Sequence, residues 1–149
     1  MTTGHRTEQP PPDGIRPPVP HDAAEARARV AAVLEVAAAG EGGPQSTTAV
    51  GDALLVTSEL VTNALRHAGG LTGFAVALDR DTVTITVADA SDELPHPRDG
   101  RGADGVANRA SGLTEGGFGW SLVRLLAQEI RLSLPPAGGK IIEVRLPLH

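Results

Sequence analysis

The stretch SELVTNALRH, residues 58–67, lies within a long run of helical periodicity. Glu59 and Asn63 are four residues apart, just over one helical turn, so they project from the same helix face. The Asn63 amide oxygen can bind a metal ion, and the Glu59 carboxylate can polarise a neighbouring hydroxyl or water. Acids and amides are also common on solvated helix faces, which is the simpler alternative. Glycine-bearing segments follow downstream, and the combination suggests a site for a magnesium–nucleotide complex.

The apolar residues of this helix predict which of its sides faces the core. His67 lies near the C-terminus of the helix, where the dipole favours histidine, and a phosphate contact is the alternative. The predicted apolar stripe consists of Val50, Leu54, Thr57, Val61, Leu65 and Ala68, whereas Asp52, Glu59, Asn63 and His67 lie on a different stripe.

Outward from this helix, the hydrophobic periods predict the order helix, helix, strand, strand, loop, helix, strand, strand. Asp22 is a predicted N-cap of the first helix, and Gly40 ends it. The order predicts an α+β fold in two layers, with a mixed, mostly antiparallel sheet and helices packed on one face. The predicted ranges are helices 22–40, 46–67 and 120–129 and strands 71–78, 82–89, 130–134 and 141–148.

Composition limits the classes of function. The 149 residues carry a net charge of −5 and only three aromatic side chains, which argues against direct nucleic-acid binding. The absence of cysteine excludes disulfides and thiolate metal sites. No apolar run is long enough to span a membrane, and the first residues lack the apolar core of a signal peptide, so we expect a cytoplasmic protein.

The N-terminal residues differ in composition from the rest. Residues 1–20 are rich in proline and nearly free of apolar side chains, so we expect a disordered tail. The expected domain spans residues 21–149.

Asp89 is predicted at the end of the second strand, on the core side with Val83, Ile85 and Val87. A carboxylate there is costly to bury unless it accepts a hydrogen bond. The exocyclic amine of adenine could supply the donor, and a turn-capping aspartate is the alternative.

Two glycine segments complete the pattern. Residues 114–120, TEGGFGW, lead directly into a helix, and exposed N–H groups at a helix start can bind an anion. A plain loop is the alternative, since the segment matches neither the P-loop nor the dinucleotide motif. The segment from Gly138 to Lys140 predicts a hairpin turn before the last strand.

The order and spacing of these segments resemble the GHKL ATPase superfamily. The segment SELVTNALRHAGG is similar to that of bacterial anti-sigma-factor serine kinases of the RsbW and SpoIIAB type. The resemblance covers about residues 22–148 and implies the Bergerat ATP-binding fold, with ATP and Mg²⁺ as cofactors.

The resemblance also implies roles for individual residues. Glu59 would be the general base, Asn63 the magnesium ligand, and Asp89 the acceptor for the adenine amine. Residues 95–115 would form an ATP lid, whose Arg98, Arg101 and Arg109 either reach the phosphates or are solvated. Further nucleotide contacts are implied for His67, Leu94, Gly116, Gly117, Phe118, Gly119 and Trp120.

The chain departs from the family pattern in three places. Ile141 stands where relatives often have threonine, and its side chain cannot hydrogen-bond adenine. Phe118 places a bulky ring between two glycines of the phosphate loop. A third departure, ASDELP after Asp89 in place of a Gly-x-Gly, resembles a subfamily feature.

Three functions compete. The first is a protein serine kinase that phosphorylates a STAS-type anti-anti-sigma partner, sequesters a sigma factor, or does both, with a homodimer typical of the group. The second is a nucleotide- or protein-binding module without turnover, which Ile141 and Phe118 favour. A detached histidine-kinase domain is disfavoured, because no helix with a phospho-acceptor histidine precedes the domain.

Overall fold

The computed structural model describes residues 18–40, 43–67, 70–91 and 119–149, without the side chain of His67. The predictions for the tail up to residue 17 and for the lid lie outside the described residues. The same holds for the predicted nucleotide contacts of Leu94, Gly116, Gly117 and Phe118.

The described residues form helices on a four-stranded sheet. The strand order is β1-β2-β4-β3, and each of the three pairings is antiparallel. The predicted α+β class and the mostly antiparallel sheet are confirmed. The elements are α1 (Ala23–Ala39), α2 (Thr47–His67), β1 (Leu71–Leu78), β2 (Thr82–Asp89), α3 (Gly119–Leu126), β3 (Glu129–Ser133) and β4 (Lys140–Pro147).

The start of α1 follows from local hydrogen bonds. Asp22 Oδ1 accepts from Glu25 N at 2.9 Å, which confirms the predicted N-cap. In return, Glu25 Oε1 accepts from His21 N at 2.8 Å. These bonds fix the N-terminal end of α1. The buried residues of the helix, Ala26, Val30 and Leu34, follow from there.

The end of α3 differs from the sequence prediction. The helix stops at Leu126 and not at residue 129. Gln128 N donates to Arg145 O at 2.8 Å, so the chain has already joined the sheet at this point. The competing sheet bond ends the helix early and brings β3 alongside β4.

The predicted apolar stripe of α2 is only partly correct. Leu65 is 40% exposed, and Val50 and Leu54 are partly buried at the edge of the core. The reason is that α2 contacts α1, α3 and the sheet. Its buried surface is therefore wider than the predicted stripe and is centred on a different side of the helix. Thr57 is fully buried because its hydroxyl donates to Ala53 O at 2.7 Å. The buried positions of α2 are Ala49, Ala53, Val56, Thr57, Leu60, Val61 and Ala64.

The two central strands carry the sheet side of the core. Each fully buried valine, isoleucine or leucine contributes about 1.5–3 kcal/mol of hydrophobic free energy. In the antiparallel register Val83 pairs with Leu146, Ile85 with Val144, Val87 with Ile142 and Asp89 with Lys140. The last pair therefore continues the buried row with two charged side chains. The six apolar members of this row, Val83, Ile85, Val87, Ile142, Val144 and Leu146, are all buried.

Candidate functional site

Glu59 is held against the start of α3. Gly119, the first residue of that helix, is buried, and a Cβ added there would collide with Glu59 Oε1 and lie 2.8 Å from Glu59 Cδ. While the Glu59 side chain keeps this conformation, only glycine fits beside its carboxyl group. The structure thus brings together the predicted general base and one of the predicted phosphate-loop glycines.

The Glu59 carboxyl group is incompletely compensated. Its Oε1 is buried and has no hydrogen-bond partner within the part of the chain that the structure describes. Burial raises the pKa of the Glu59 carboxyl above its usual value of 4.5, and the positive charge of Arg66 lowers it in part. The nearby N-terminus of α3 also favours the ionised form. An acid of this kind is a stronger proton acceptor than a solvated glutamate.

Asn63 lies one turn beyond Glu59 on α2 and is half-buried. No cluster of three or more histidine, aspartate or glutamate side chains suited to a metal ion occurs among residues 18–40, 43–67, 70–91 and 119–149. A single amide oxygen is still sufficient for magnesium when phosphates and water complete the coordination. The predicted metal role of Asn63 stays a prediction.

A contact between the two long helices lies beside Glu59. Arg27 on α1 donates from Nη1 to Ser58 Oγ at 2.8 Å, in a partly buried position. This bond ties α1 to the turn of α2 that carries the acid. The sequence analysis missed it, because the relative rotation of the helices is not visible in their separate patterns.

Asp89 is buried at the end of β2, as predicted. Lys140 Nζ lies 3.0 Å from Asp89 Oδ2 and 3.1 Å from Oδ1. Ser91 N donates to the same Oδ1 at 2.9 Å. The side chains of Lys140 and Asp89 are only 8% and 4% exposed. The turn-capping role that the sequence left open is therefore present, together with a buried ion pair that the sequence analysis missed.

The turn before β4 sets up this ion pair. Gly139 has a φ of +83°, which disfavours other residues, and a Cβ there would collide with the backbone oxygen of Asp89. The close approach of the Gly139 backbone to the Asp89 backbone places Lys140, the next residue, beside Asp89. Ile141 is paired with Ala88, so the residue that faces Asp89 is Lys140 and not Ile141. A signal was available in the sequence, because alternation back from Ile142 puts residue 140 on the core side.

Trp120 and His67 are the two remaining predicted contact residues within the described ranges. Trp120 is partly buried and packs against the hydrophobic core. His67 is the last residue of α2. The predicted nucleotide roles of both residues stay predictions.

The site geometry and the fold agree with the comparison to protein families. Residues 19–146 match the model of the histidine kinase-like ATPase domain. The chain belongs to this family. The match spans most of the 149 residues and covers α1, α2, α3 and the strands β1 to β3 in full, and β4 as far as residue 146.

Among solved structures, the chain is similar to the blue-light activated histidine kinase of Erythrobacter litoralis EL346, with 20% identity and a TM-score of 0.45. The similarity covers 81% of this chain and 40% of that protein. No curated protein matches the chain. Within the described ranges, no helix combines the length and the apolar character needed to cross a membrane.

Proposed function

We propose that this histidine kinase-like ATPase domain binds ATP with magnesium and transfers the γ-phosphoryl group to a serine hydroxyl of a partner protein. The supporting observation is the buried, unpartnered Oε1 of Glu59 against Gly119 at the start of α3. An acid without a partner costs stability, and such a cost is common where a side chain serves chemistry.

The described residues fit this cofactor. Asn63 offers one oxygen to magnesium, and the first N–H groups of α3 can bind phosphate oxygens. Asp89 offers its carboxylate to the 6-amino group of adenine. Gly119 allows the backbone of α3 to approach the phosphates without a side chain in the way.

Glu59 would accept the proton of the serine hydroxyl. The serine oxygen then bonds to the γ-phosphorus, the bond from that phosphorus to the bridging β-phosphate oxygen breaks, and ADP leaves. The bound nucleotide supplies the phosphoryl group, and magnesium neutralises its charge. The raised pKa of Glu59 suits this role, because a base is most effective when its pKa approaches the working pH.

The proposed phospho-acceptor is a STAS-type anti-anti-sigma protein, and the proposed second partner is a sigma factor. The support is the similarity of residues 58–70, SELVTNALRHAGG, to anti-sigma-factor serine kinases. A homodimer belongs to the same proposal.

A module that binds nucleotide or protein without turnover is the second candidate. It is favoured by Asp89, whose carboxylate already receives hydrogen bonds from Lys140 and Ser91. Adenine would have to share this acceptor with donors of the chain itself.

Two substitutions separate binding from transfer. Asn63→Ala should abolish magnesium-dependent ATP binding in a calorimetric titration. Glu59→Gln should retain ATP binding but lower phosphate incorporation into a STAS partner by about 100-fold or more, because a general base is lost. Asp52→Asn on the same helix is the matched control and should change neither quantity.

Unchanged ATP affinity in Asn63→Ala would contradict the metal assignment. Transfer that persists in Glu59→Gln would contradict the base assignment. ATP binding without transfer by the unaltered protein would favour the module.

A further inference from the structure

Lys140 is the least expected residue of the site. It is the first residue of β4, its side chain is buried, and its ammonium group contacts both oxygens of Asp89. The register of β2 and β4 pairs the two residues directly, and the tight turn at Gly139 holds them together. Lys140 is thus fixed beside the carboxylate that the proposed function assigns to adenine.

The ion pair leaves one donor and one acceptor side by side. An ammonium group has three N–H bonds, and the contacts with Asp89, a hydrogen bond to Oδ1 and an ion pair with Oδ2, occupy at most two of them. Among the described residues, Asp89 Oδ1 also accepts from Ser91 N, whereas the one recorded contact of Oδ2 is the ion pair with Lys140. Oδ2 can therefore accept one more hydrogen bond, and Nζ can donate one more.

The Watson–Crick edge of adenine has the complementary pattern, with the 6-amino donor beside the N1 acceptor. We propose that Lys140 is a base-specificity residue, which donates to N1 of adenine while Asp89 Oδ2 accepts from the 6-amino group. This inference rests on the proposed nucleotide site and names its recognition element.

The same pair disfavours bases with a 6-oxo group. Hypoxanthine and guanine carry an oxygen at position 6 and a hydrogen on N1, so their edge is inverted. The oxygen would face Asp89 Oδ2 and the N1–H would face the Lys140 ammonium, which leaves buried polar groups unpaired. A lysine with only a structural role would have no influence on the identity of the atom at position 1.

The test is a calorimetric titration of the full chain with ATP, 1-deaza-ATP, ITP and 7-deaza-ATP in the presence of magnesium. 1-Deaza-ATP lacks only the N1 acceptor, and we expect it to bind about 10- to 100-fold more weakly than ATP, the effect of one hydrogen bond to a charged group. ITP should also bind more weakly. 7-Deaza-ATP is altered away from the recognised edge, and it should bind like ATP.

Lys140→Met assigns the effect to this side chain. The variant should bind ATP and 1-deaza-ATP with nearly equal affinity, whatever its absolute affinity. The double variant Asp89→Asn, Lys140→Met is the second variant, in case the unpaired Asp89 carboxylate of the single variant prevents folding. Its amide oxygen at position 89 can still accept from the 6-amino group, but no ammonium group can donate to N1, so the preference for ATP over 1-deaza-ATP should disappear there too.

The outcomes distinguish the two proposals. If the unaltered protein binds none of the adenine nucleotides, the proposed function fails, and the inference fails with it. If it binds ATP and 1-deaza-ATP equally, or if the preference survives in a folded Lys140 variant, only the inference is overturned.

Discussion

Glu59 and Asp89 are both acids of the candidate site, but the chain treats them in opposite ways. Asp89 Oδ1 accepts hydrogen bonds from Lys140 Nζ and from Ser91 N, and Asp89 Oδ2 forms an ion pair with the same ammonium group. Glu59 has a buried oxygen without a partner among the described residues, and its pKa is raised by burial. The compensated acid contributes to the fold, whereas the uncompensated acid retains the proton affinity that chemistry needs. The difference predicts which substitutions will damage the fold and which will damage only the site.

The largest effect on stability should come from breaking the compensated pair. Lys140→Met leaves a buried carboxylate without its counter-charge, which costs about 3–5 kcal/mol of unfolding free energy. Denaturation in urea measures this loss. The double variant Asp89→Asn, Lys140→Met removes both charges and should recover most of it, and a double variant as unstable as the single one would contradict the argument.

Alanine substitutions of the glycines beside the two acids should lower the unfolding free energy by smaller amounts, and the two losses should differ. Gly139→Ala places a methyl group against the backbone oxygen of Asp89 at a positive φ, so we expect a loss of about 2–4 kcal/mol. Gly119→Ala meets only the end of the Glu59 side chain, which can rotate away, so we expect a change within about 1 kcal/mol. Thermal unfolding of the two variants gives the comparison.

Gly138→Ala is the matched control for this pair of variants. Residue 138 also has a positive φ, but nothing lies within 4 Å of an added Cβ. Its unfolding free energy should fall only by the cost of a positive φ for a residue with a Cβ, about 1–2 kcal/mol. Equal losses at residues 138 and 139 would show that the contact with Asp89 contributes nothing.

The smallest effect should be the pH dependence of Glu59. Its pKa is raised in the folded state, so the stability from proton binding is complete below pH 4.5 and is lost as the pH rises through the folded pKa. Glu59→Gln does not titrate there, and at neutral pH it should match or exceed the unaltered protein by about 0.5 kcal/mol. Urea denaturation of both proteins between pH 4 and pH 7 measures the difference.

Glu25 provides a control of opposite sign. Hydrogen bonds from the backbone and side chain of His21 lower the pKa of Glu25 to about 2. Its contribution is therefore present above the usual pKa of 4.5 and is lost as the pH falls toward 2. Should Glu59→Gln and Glu25→Gln change the pH profile in the same direction, the assigned environments would be wrong.

The strands and the burial of Asp89 could be predicted from the sequence. A strict alternation of residues along β2 determines which side chains share a face, so Asp89 had to follow Val83, Ile85 and Val87. The position of Gly119 at the start of a helix could also be predicted, since the glycines of residues 114–120 lead directly into an amphipathic segment. Local periodicity was sufficient in each case.

What could not be predicted depends on contacts between distant segments. The pairing of Asp89 with Lys140 requires the register of two strands, and the contact of Arg27 with Ser58 requires the packing of two helices. Leu65 fits an apolar stripe, but it is exposed because the neighbours of α2 turn a different face inward. No period within one element contains this information.

The ladder between β2 and β4 has an evolutionary consequence. Asp89 and Lys140 are 51 residues apart in sequence, yet they are direct neighbours across two central strands. Doubling the length of a connecting segment adds only about 0.6 kcal/mol of closure entropy, which is small beside a buried ion pair. The two charges can therefore remain opposite each other in descendants of this gene even when the number of residues between the two strands changes.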